Sequence, residues 1–131
     1  MIDNFNIWDY FGWKARLGRK SFALRMLFAY IISFALLFLM LSLDLDKPGP
    51  LFAVLLIVGI INTIFIYANI LRRLHDLDKG KMWAGILFFL THNAVKPPAS
   101  NILTILHLIG IIFLICKKGS AGENKYGPPP Q

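Results

Sequence analysis

Two long runs of apolar residues, 22–43 and 51–71, dominate the pattern of this chain. Each is about as long as the roughly 20 residues that a helix needs to cross the hydrocarbon core of a bilayer. Arg25 is the only charged residue in either run, and it lies near an end, where its long side chain is expected to reach the lipid head groups. The helices of a soluble bundle keep a polar stripe for water, and the first run has almost none. The pattern therefore predicts two membrane-spanning helices.

Two shorter apolar runs follow, 82–90 and 102–116, and a polar stretch with two prolines separates them. At 1.5 Å per residue, neither length covers much more than about 20 Å. The two runs predict either a thin, tilted pair of crossings or a re-entrant hairpin that enters and leaves by one face. Ser100 or Asn101 is the expected N-cap of the last helix.

The remaining segments predict an interfacial start, two loops and a tail. Phe5, Trp8, Phe11 and Ala15 recur at roughly helical spacing, which indicates a short interfacial helix within residues 1–21; the alternative is a disordered basic leader. We expect a tight reversal at 44–50, a basic loop at 72–81 and a cytoplasmic tail at 117–131 that is extended and irregular from residue 119 onward.

These elements together predict the fold class and the domain organisation. The expected fold is an all-α polytopic membrane helical bundle with four membrane segments within residues 22–116. Hydrophobic residues make up 56% of the 131-residue chain, and this length has room for one domain. A single integral membrane domain over residues 1–131 is therefore expected.

The distribution of Lys and Arg predicts the orientation. With four membrane segments the cytoplasm receives 12 of these residues and the outside 2, whereas three segments give 9 and 5. The even topology, with both termini cytoplasmic, is therefore predicted, and a re-entrant pair gives the same sides. The net charge of +7 then indicates contact with anionic lipid head groups rather than with nucleic acid, because the basic residues lie at the ends of apolar runs.

Polar residues on the second run form one stripe. Asn62, Asn69, Arg73 and Asp76 are spaced by seven, four and three, so on a continuous helix they fall within about 60° of one another. Asn62 near mid-span predicts an interhelical hydrogen bond, or, as the sharper alternative, a polar lining for a transported solute. His107 is expected to be a hydrogen-bonded bundle residue rather than a proton relay.

Signatures of catalysis and of metal binding are missing from the chain. The single cysteine, Cys116, excludes an internal disulfide and is expected to pack as a small hydrophobe. His75, Asp76 and Asp78 suggest an acid–base group only by adjacency, and adjacent side chains point apart on a helix. We therefore predict that the protein is not an enzyme and that it has no cofactor and no metal site.

Three motifs stand out in the chain: residues 16–22 (RLGRKSF), 72–76 (RRLHD) and 122–128 (GENKYGP). In sequence, in order and in the apolar runs between them, they resemble a bacterial inner-membrane family, domain of unknown function 805. The chain departs from the family after Asp76, where a glycine is usual at the position of Asp78 and only Trp83 remains of a tryptophan pair. The resemblance implies the inner membrane and implies no activity.

The motif residues all fall on the predicted cytoplasmic face. We expect Asp76 to clamp Arg19 or Lys20, or to pair with Arg72, and the tail to fold back under the bundle. The predicted cap, structural or a docking surface for a partner or an anionic head group, consists of Arg16, Arg19, Arg72, Arg73, His75, Asp76, Asn124, Tyr126 and Gly127.

Three functional hypotheses follow. The leading one is a small interaction or scaffold protein with a membrane-protein partner or a second copy of itself. The alternative is a transport or channel component with a polar path near Asn62, and the third is an interfacial enzyme that acts on lipid.

Overall fold

The computed structural model describes residues 7–43, 47–91 and 95–130. The regular elements in these ranges are helices: α1 (Trp8–Phe11), α2 (Arg19–Ser42), α3 (Pro50–Asp76), α4 (Lys81–Phe89) and α5 (Ala99–Cys116). The all-α prediction is confirmed for the described ranges. The start of the predicted interfacial helix and the middle of the first reversal lie outside the described residues.

Three of the helices are long and apolar enough to cross a membrane. They are α2, α3 and α5, with 24, 27 and 18 residues. At a rise of 1.5 Å per residue they extend about 36, 40 and 27 Å. With nine residues, α4 covers only about 14 Å, so three of the four predicted membrane segments have spanning length. The depth of α4, and hence the choice between two crossings and a re-entrant hairpin, stays a prediction.

The last helix begins earlier than the apolar pattern indicates. It starts at Ala99, and its N-cap is Pro98 without a side-chain capping bond, so the prediction of Ser100 or Asn101 as N-cap is wrong. Both polar residues lie inside the first turn of α5 instead, which lengthens the helix to 18 residues. A proline at this point gives up no hydrogen bond, because a helix start leaves its first N–H groups unpaired in any case.

Large apolar side chains cover the outer surface of the long helices. On α2, Phe34 is 74% exposed and Leu41 73% exposed. Exposing such area to water costs about 25 cal/mol per Å², whereas lipid chains accommodate it. The surface therefore fits a bundle surrounded by lipid.

The buried core lies at one end of the bundle, where α2 begins and where α3 and α5 end. We call this the cap end. The core residues there are Leu17, Phe22, Met26, Ile70, Leu71, Leu74, Ala84, Ile111 and Leu114. Residues 68–76 of α3 are buried without a break, so this part of the helix is surrounded by protein.

The helix α3 continues through the sequence RRLHD, so the predicted basic loop is wrong for residues 72–76. The helix ends in a Schellman motif, in which Lys79 N–H donates to the Leu74 carbonyl (2.8 Å) and Asp78 N–H donates to that of His75 (3.1 Å). Asp78 has a φ of 57°, a conformation that aspartate tolerates better than most residues. The loop is thereby reduced to residues 77–80.

In the described part of the segment before α2, residues 7–18, only Trp8–Phe11 is helical, so the predicted interfacial helix does not extend to Ala15. Its backbone is instead held against α3, since Leu17 N–H donates to the Arg72 carbonyl at 3.1 Å. The Phe11 ring packs edge-on against Phe65, with 5.5 Å between the ring centroids. Residues 12–18 leave the helix because these contacts require an extended approach to the end of α3.

Residues 81–116 leave the cap end and return to it. α4 begins directly after the turn that ends α3. The helices α4 and α5 form a hairpin. Where α5 ends, the carbonyls of Leu114 and Lys117 both accept hydrogen bonds from Arg73. The N-terminal segment and the tail therefore meet at the same end of the bundle.

Candidate functional site

An ionic cluster centred on Asp76 lies at the cap end. Its Oδ1 atom accepts a hydrogen bond from Nε of Arg16 at 3.0 Å and lies 2.9 Å from Nη2 in the same ion pair, and its Oδ2 atom accepts a hydrogen bond from Nη1 of Arg73. The side chains of Arg16, Arg73 and Asp76 are only 1%, 0% and 5% exposed. Two positive charges and one negative charge are thus buried together.

Backbone carbonyls satisfy the remaining N–H groups of the two guanidinium groups. Arg16 donates to the carbonyls of Gly122 (2.6 Å), Gly127 (3.2 Å) and Ser120 (2.7 Å). Carbonyl oxygens carry partial negative charge, and hydrogen bonds from charged donors are stronger than neutral ones. The carbonyls therefore offset the excess positive charge and tie the tail to Arg16.

Arg73 joins three further segments in the same way. It donates from Nε to the Leu114 carbonyl at 2.7 Å, from Nη1 to the Leu17 carbonyl at 3.2 Å, and from Nη2 to the Lys117 carbonyl. The N-terminal segment, α3, the end of α5 and the tail are thereby held by one network. We call this network, with residues 119–127 of the tail, the polar cap.

The tail folds back under the bundle. Ser120 N–H donates to the Asp76 carbonyl at 2.7 Å, and the Asn124 amide donates to the His75 carbonyl at 2.9 Å. The Tyr126 ring stacks on His75, with 3.8 Å between centroids and 8° between planes. The expectation of an extended tail is wrong for residues 119–127, because these contacts force a compact turn.

Glycines make that turn possible. Gly122 and Gly127 have φ angles of 67° and 114°, which residues with a side chain rarely adopt, and both carbonyls accept from Arg16. Gly119 lies so close to the Asp76 carboxylate that a Cβ atom would overlap it. The tail therefore reaches the buried ions only because these positions carry glycine.

The clamp on Asp76 differs from the predicted one. Arg16 and Arg73 bind the carboxylate, whereas Arg19 reaches only the Cys116 carbonyl at 3.5 Å and Lys20 is exposed. Arg19 and Lys20 lie in the first turn of α2 and Arg16 in the extended segment before it, so Arg16 alone passes beneath the end of α3.

The predicted pair of Arg72 and Asp76 is also wrong. Arg73, three residues before Asp76, occupies the place that Arg72 was expected to take. Arg72 is buried, and its backbone carbonyl accepts a hydrogen bond from the Leu17 N–H. Residues three apart face the same side of a helix as well as residues four apart do, so spacing alone did not distinguish the two arginines.

The two asparagines of the predicted stripe contact α2. The Asn62 amide donates to the Ala29 carbonyl (3.0 Å) and to the Ser33 hydroxyl (2.9 Å). The oxygen of Asn69 accepts a hydrogen bond from Arg25 at 3.1 Å. Asn62 thus has the interhelical bond of the simpler hypothesis, and the stripe is divided between α2 and the polar cap.

Arg25 was expected to reach the head groups, and the structure corrects this. Its guanidinium binds Asn69 and lies 4.5 Å from the centroid of the Tyr10 ring. A charge within a predicted span requires a polar partner, and Asn69 on the neighbouring span was the available signal.

His107 connects three helices. Its Nδ1 lies 2.9 Å from the Leu87 carbonyl of α4, and its Nε2 lies 2.8 Å from the Tyr30 hydroxyl of α2. A carbonyl accepts only, so Nδ1 carries the proton and Nε2 accepts from Tyr30. The imidazole is thus hydrogen-bonded on both sides inside the bundle.

Two remaining predictions concern metal ligands and the cysteine. Among the described residues, no group of three or more His, Cys, Asp or Glu side chains is arranged to hold a metal ion. Cys116 is exposed, so the expectation that it packs as a small hydrophobe is wrong. It is the last residue of α5, where the helix leaves the core.

Replacement of Asp76 by asparagine is predicted to lower the free energy of unfolding by about 3–5 kcal/mol, because two buried guanidinium groups lose their compensating charge. The measurement is an unfolding titration of the purified protein in detergent. Asp78→Asn is the matched control, since its carboxylate is 51% exposed and 3.9 Å from Lys125, and its effect should stay below about 1 kcal/mol. Unchanged stability of Asp76→Asn would contradict the role assigned to the cluster.

The substitution Gly119→Ala is predicted to release the tail, because the added methyl group overlaps the Asp76 carboxylate. Tryptic cleavage after Lys125 should become about tenfold faster, as overpacking lowers the local stability. Gly85→Ala is the control, since nothing lies within 4 Å of a Cβ atom there. Equal cleavage rates in both variants would show that the tail is not held at Gly119.

The sequence is similar to known inner membrane proteins over most of its length. It is 30% identical over 123 residues to the inner membrane protein YhaH of Escherichia coli strain K12, which covers 94% of this chain and 90% of YhaH. It is 28% identical over 124 residues to the inner membrane protein YhaI of the same strain, covering 94% and 89%. No solved structure matches the chain.

The family match includes the whole polar cap. Residues 10–128 match the family described as "Protein of unknown function (DUF805)", which confirms the resemblance inferred from the three motifs. Three helices of spanning length agree with the inner-membrane relatives. This chain therefore belongs to the DUF805 family of membrane proteins.

Proposed function

We propose that this chain is a multi-pass protein of the bacterial inner membrane, with both termini in the cytoplasm, that works as an interaction or scaffold protein. In this proposal the polar cap is a rigid platform for a partner. The buried cluster of Arg16, Asp76 and Arg73 carries the proposal, because it fixes the tail across one end of the bundle.

The geometry of the chain ends supports the proposed orientation. The N-terminal segment, the end of α3 and the tail share one network, and α4 begins beside it. Segments joined in this way lie on the same side of a membrane. The positive-inside count assigns this side to the cytoplasm.

The outer face of the polar cap offers a surface for a partner. A cavity of about 580 Å³ lies there, over the stacked rings of His75 and Tyr126. Lys14, Lys81 and Lys125 line it together with Trp13, which is 56% exposed. Exposed tryptophan beside basic groups favours a partner segment with acidic and apolar residues.

The alternatives receive less support. Both oxygens of the Asp76 carboxylate are bound by arginines and the group is buried, which leaves it poorly placed for acid–base work on lipid. Asn62 bonds to α2, and His107 bonds to Tyr30 and Leu87, so these groups serve helix contacts instead of a shared path. In the scaffold proposal these contacts only hold the helices and the polar cap together.

The orientation predicts the behaviour of C-terminal fusions in bacteria. Alkaline phosphatase joined after Gln131 should be inactive, and green fluorescent protein at the same site should fluoresce, because the tail stays in the cytoplasm. The substitution Lys96→Cys in a Cys116→Ser background distinguishes two crossings from a re-entrant hairpin. A membrane-impermeant maleimide labels this new cysteine from the periplasm only if residues 81–116 cross the membrane twice. An active phosphatase fusion would contradict the proposed orientation.

The scaffold role predicts a partner at the polar cap. A photoreactive amino acid at Trp13 or Lys125 should give a discrete crosslinked product in native membranes. The same residue at Phe34, which is 74% exposed on α2, serves as the lipid-facing control. With the photoreactive residue at position 13, Lys14→Glu with Lys125→Glu should remove at least about 90% of the product, since two charges reverse, while folded protein is retained.

Two results would contradict the scaffold role. One is the absence of any product at the polar cap while the Phe34 position crosslinks normally. The other is solute flux in liposomes that the Asn62→Leu variant abolishes, which would favour the transport hypothesis. Loss of an enzymatic turnover in Asp76→Asn, with folded protein unchanged, would favour the third hypothesis.

A further inference from the structure

A deep groove separates α4 from α5 on the side of the bundle, away from the outer face of the polar cap. Its volume is about 790 Å³, within the range of small-molecule sites. Trp83 and Ile86 of α4 form one wall, and Leu106, Ile109 and Phe113 of α5 form the other. The walls are thus apolar and open toward the lipid.

The groove has the depth of one leaflet. Its lining extends from Leu106 on α5 to Lys117, which caps this helix eleven residues later, or about 17 Å along the helix axis. Half of a hydrocarbon core of about 30 Å is about 15 Å. On its inner side the helices touch, because Leu87 packs directly against Gly110, which has no side chain to keep them apart.

Three lysines surround the mouth of the groove. Lys79, Lys117 and Lys118 line it at the cap end, and all three are exposed. Within the described ranges, none of their ammonium groups takes part in an ion pair. The acidic groups beside them are engaged elsewhere, since Asp76 binds two arginines and Asp78 lies 3.9 Å from Lys125.

We infer that this groove is a binding site for one anionic phospholipid. An acyl chain lies between α4 and α5, and the head-group phosphate contacts Lys79, Lys117 and Lys118. The combination of an apolar slot of leaflet depth with uncompensated positive charge at its mouth matches the two parts of such a molecule. A second copy of this chain fits less well, because it brings its own net charge of +7 to the three lysines. The site is separate from the partner surface of the proposed function and does not rest on it.

The test is native mass spectrometry of the purified full chain with dioleoylphosphatidylglycerol, and with dioleoylphosphatidylcholine as the uncharged comparison. We expect one retained phosphatidylglycerol per chain at concentrations where phosphatidylcholine does not stay bound. The triple variant Lys79→Gln, Lys117→Gln and Lys118→Gln should bind at least about tenfold more weakly, since three charges near the phosphate are lost. The matched control replaces Lys14, Lys20 and Lys81 by glutamine. These three lysines are exposed and do not line the groove, so this variant should bind phosphatidylglycerol normally.

A second pair of variants tests the apolar part without changing charge. Ile109→Trp places a larger side chain in the groove and should also weaken binding at least about tenfold, by excluding the acyl chain. Ile112→Trp is the control, because Ile112 is 59% exposed on α5 and does not line the groove. Each variant is first matched to the parent protein in its unfolding midpoint.

Three results would overturn the inference. Equal losses in the two triple lysine variants would mean that only the overall charge attracts lipid. Normal binding by Ile109→Trp would mean that nothing enters the groove. A lipid-free dimer that the groove variants dissociate would make a second copy the occupant. None of these results bears on the crosslinking test of the scaffold role, so the two proposals fail separately.

Discussion

The structure depends on one buried carboxylate held between two guanidinium groups. Removing charges from water costs several kcal/mol for each ion, and mutual attraction offsets this only when the geometry is complete. Asp76 supplies both oxygens, and Arg16 and Arg73 direct their remaining N–H groups to backbone carbonyls. Those carbonyls belong to the N-terminal segment, the end of α5 and the tail. The need to satisfy two arginines therefore sets where three other parts of the chain must lie.

This constraint explains the shape of the cap end. α3 is buried from residue 68 to residue 76 because the elements that compensate its charges also cover it. Glycine is required at 119, 122 and 127 because the tail must pass directly beside the ions. The hairpin of α4 and α5 returns to this end, where Arg73 binds its last carbonyls. The lysines at the mouth of the α4–α5 groove lie beside the same network and remain exposed. The ionic cluster therefore orders the polar cap without binding these lysines.

Particular residues show how far the sequence predicted the candidate site. Asn62, Asn69, Arg73 and Asp76 were placed correctly on one helical face, because a period of 3.6 residues follows from the backbone alone. The partners of these groups were not predictable in the same way. Arg19 and Lys20 seemed as suitable as Arg16 for Asp76, and Arg25 was assigned to the lipid surface rather than to Asn69. Such choices depend on the path of residues 12–18, which no local pattern describes.

The sequence by itself determined that the chain lies in lipid, that it is helical and to which family it belongs. Runs of some 20 apolar residues are stable only in lipid, and there the backbone must form helices. Motifs at 16–22, 72–76 and 122–128 identified the DUF805 family. The tertiary structure alone decided that RRLHD is helical and buried, that Arg16 is the second arginine on Asp76, and that the tail closes the bundle. The reason is physical: the burial of a charge is decided by the groups that surround it, and here they come from opposite ends of the chain.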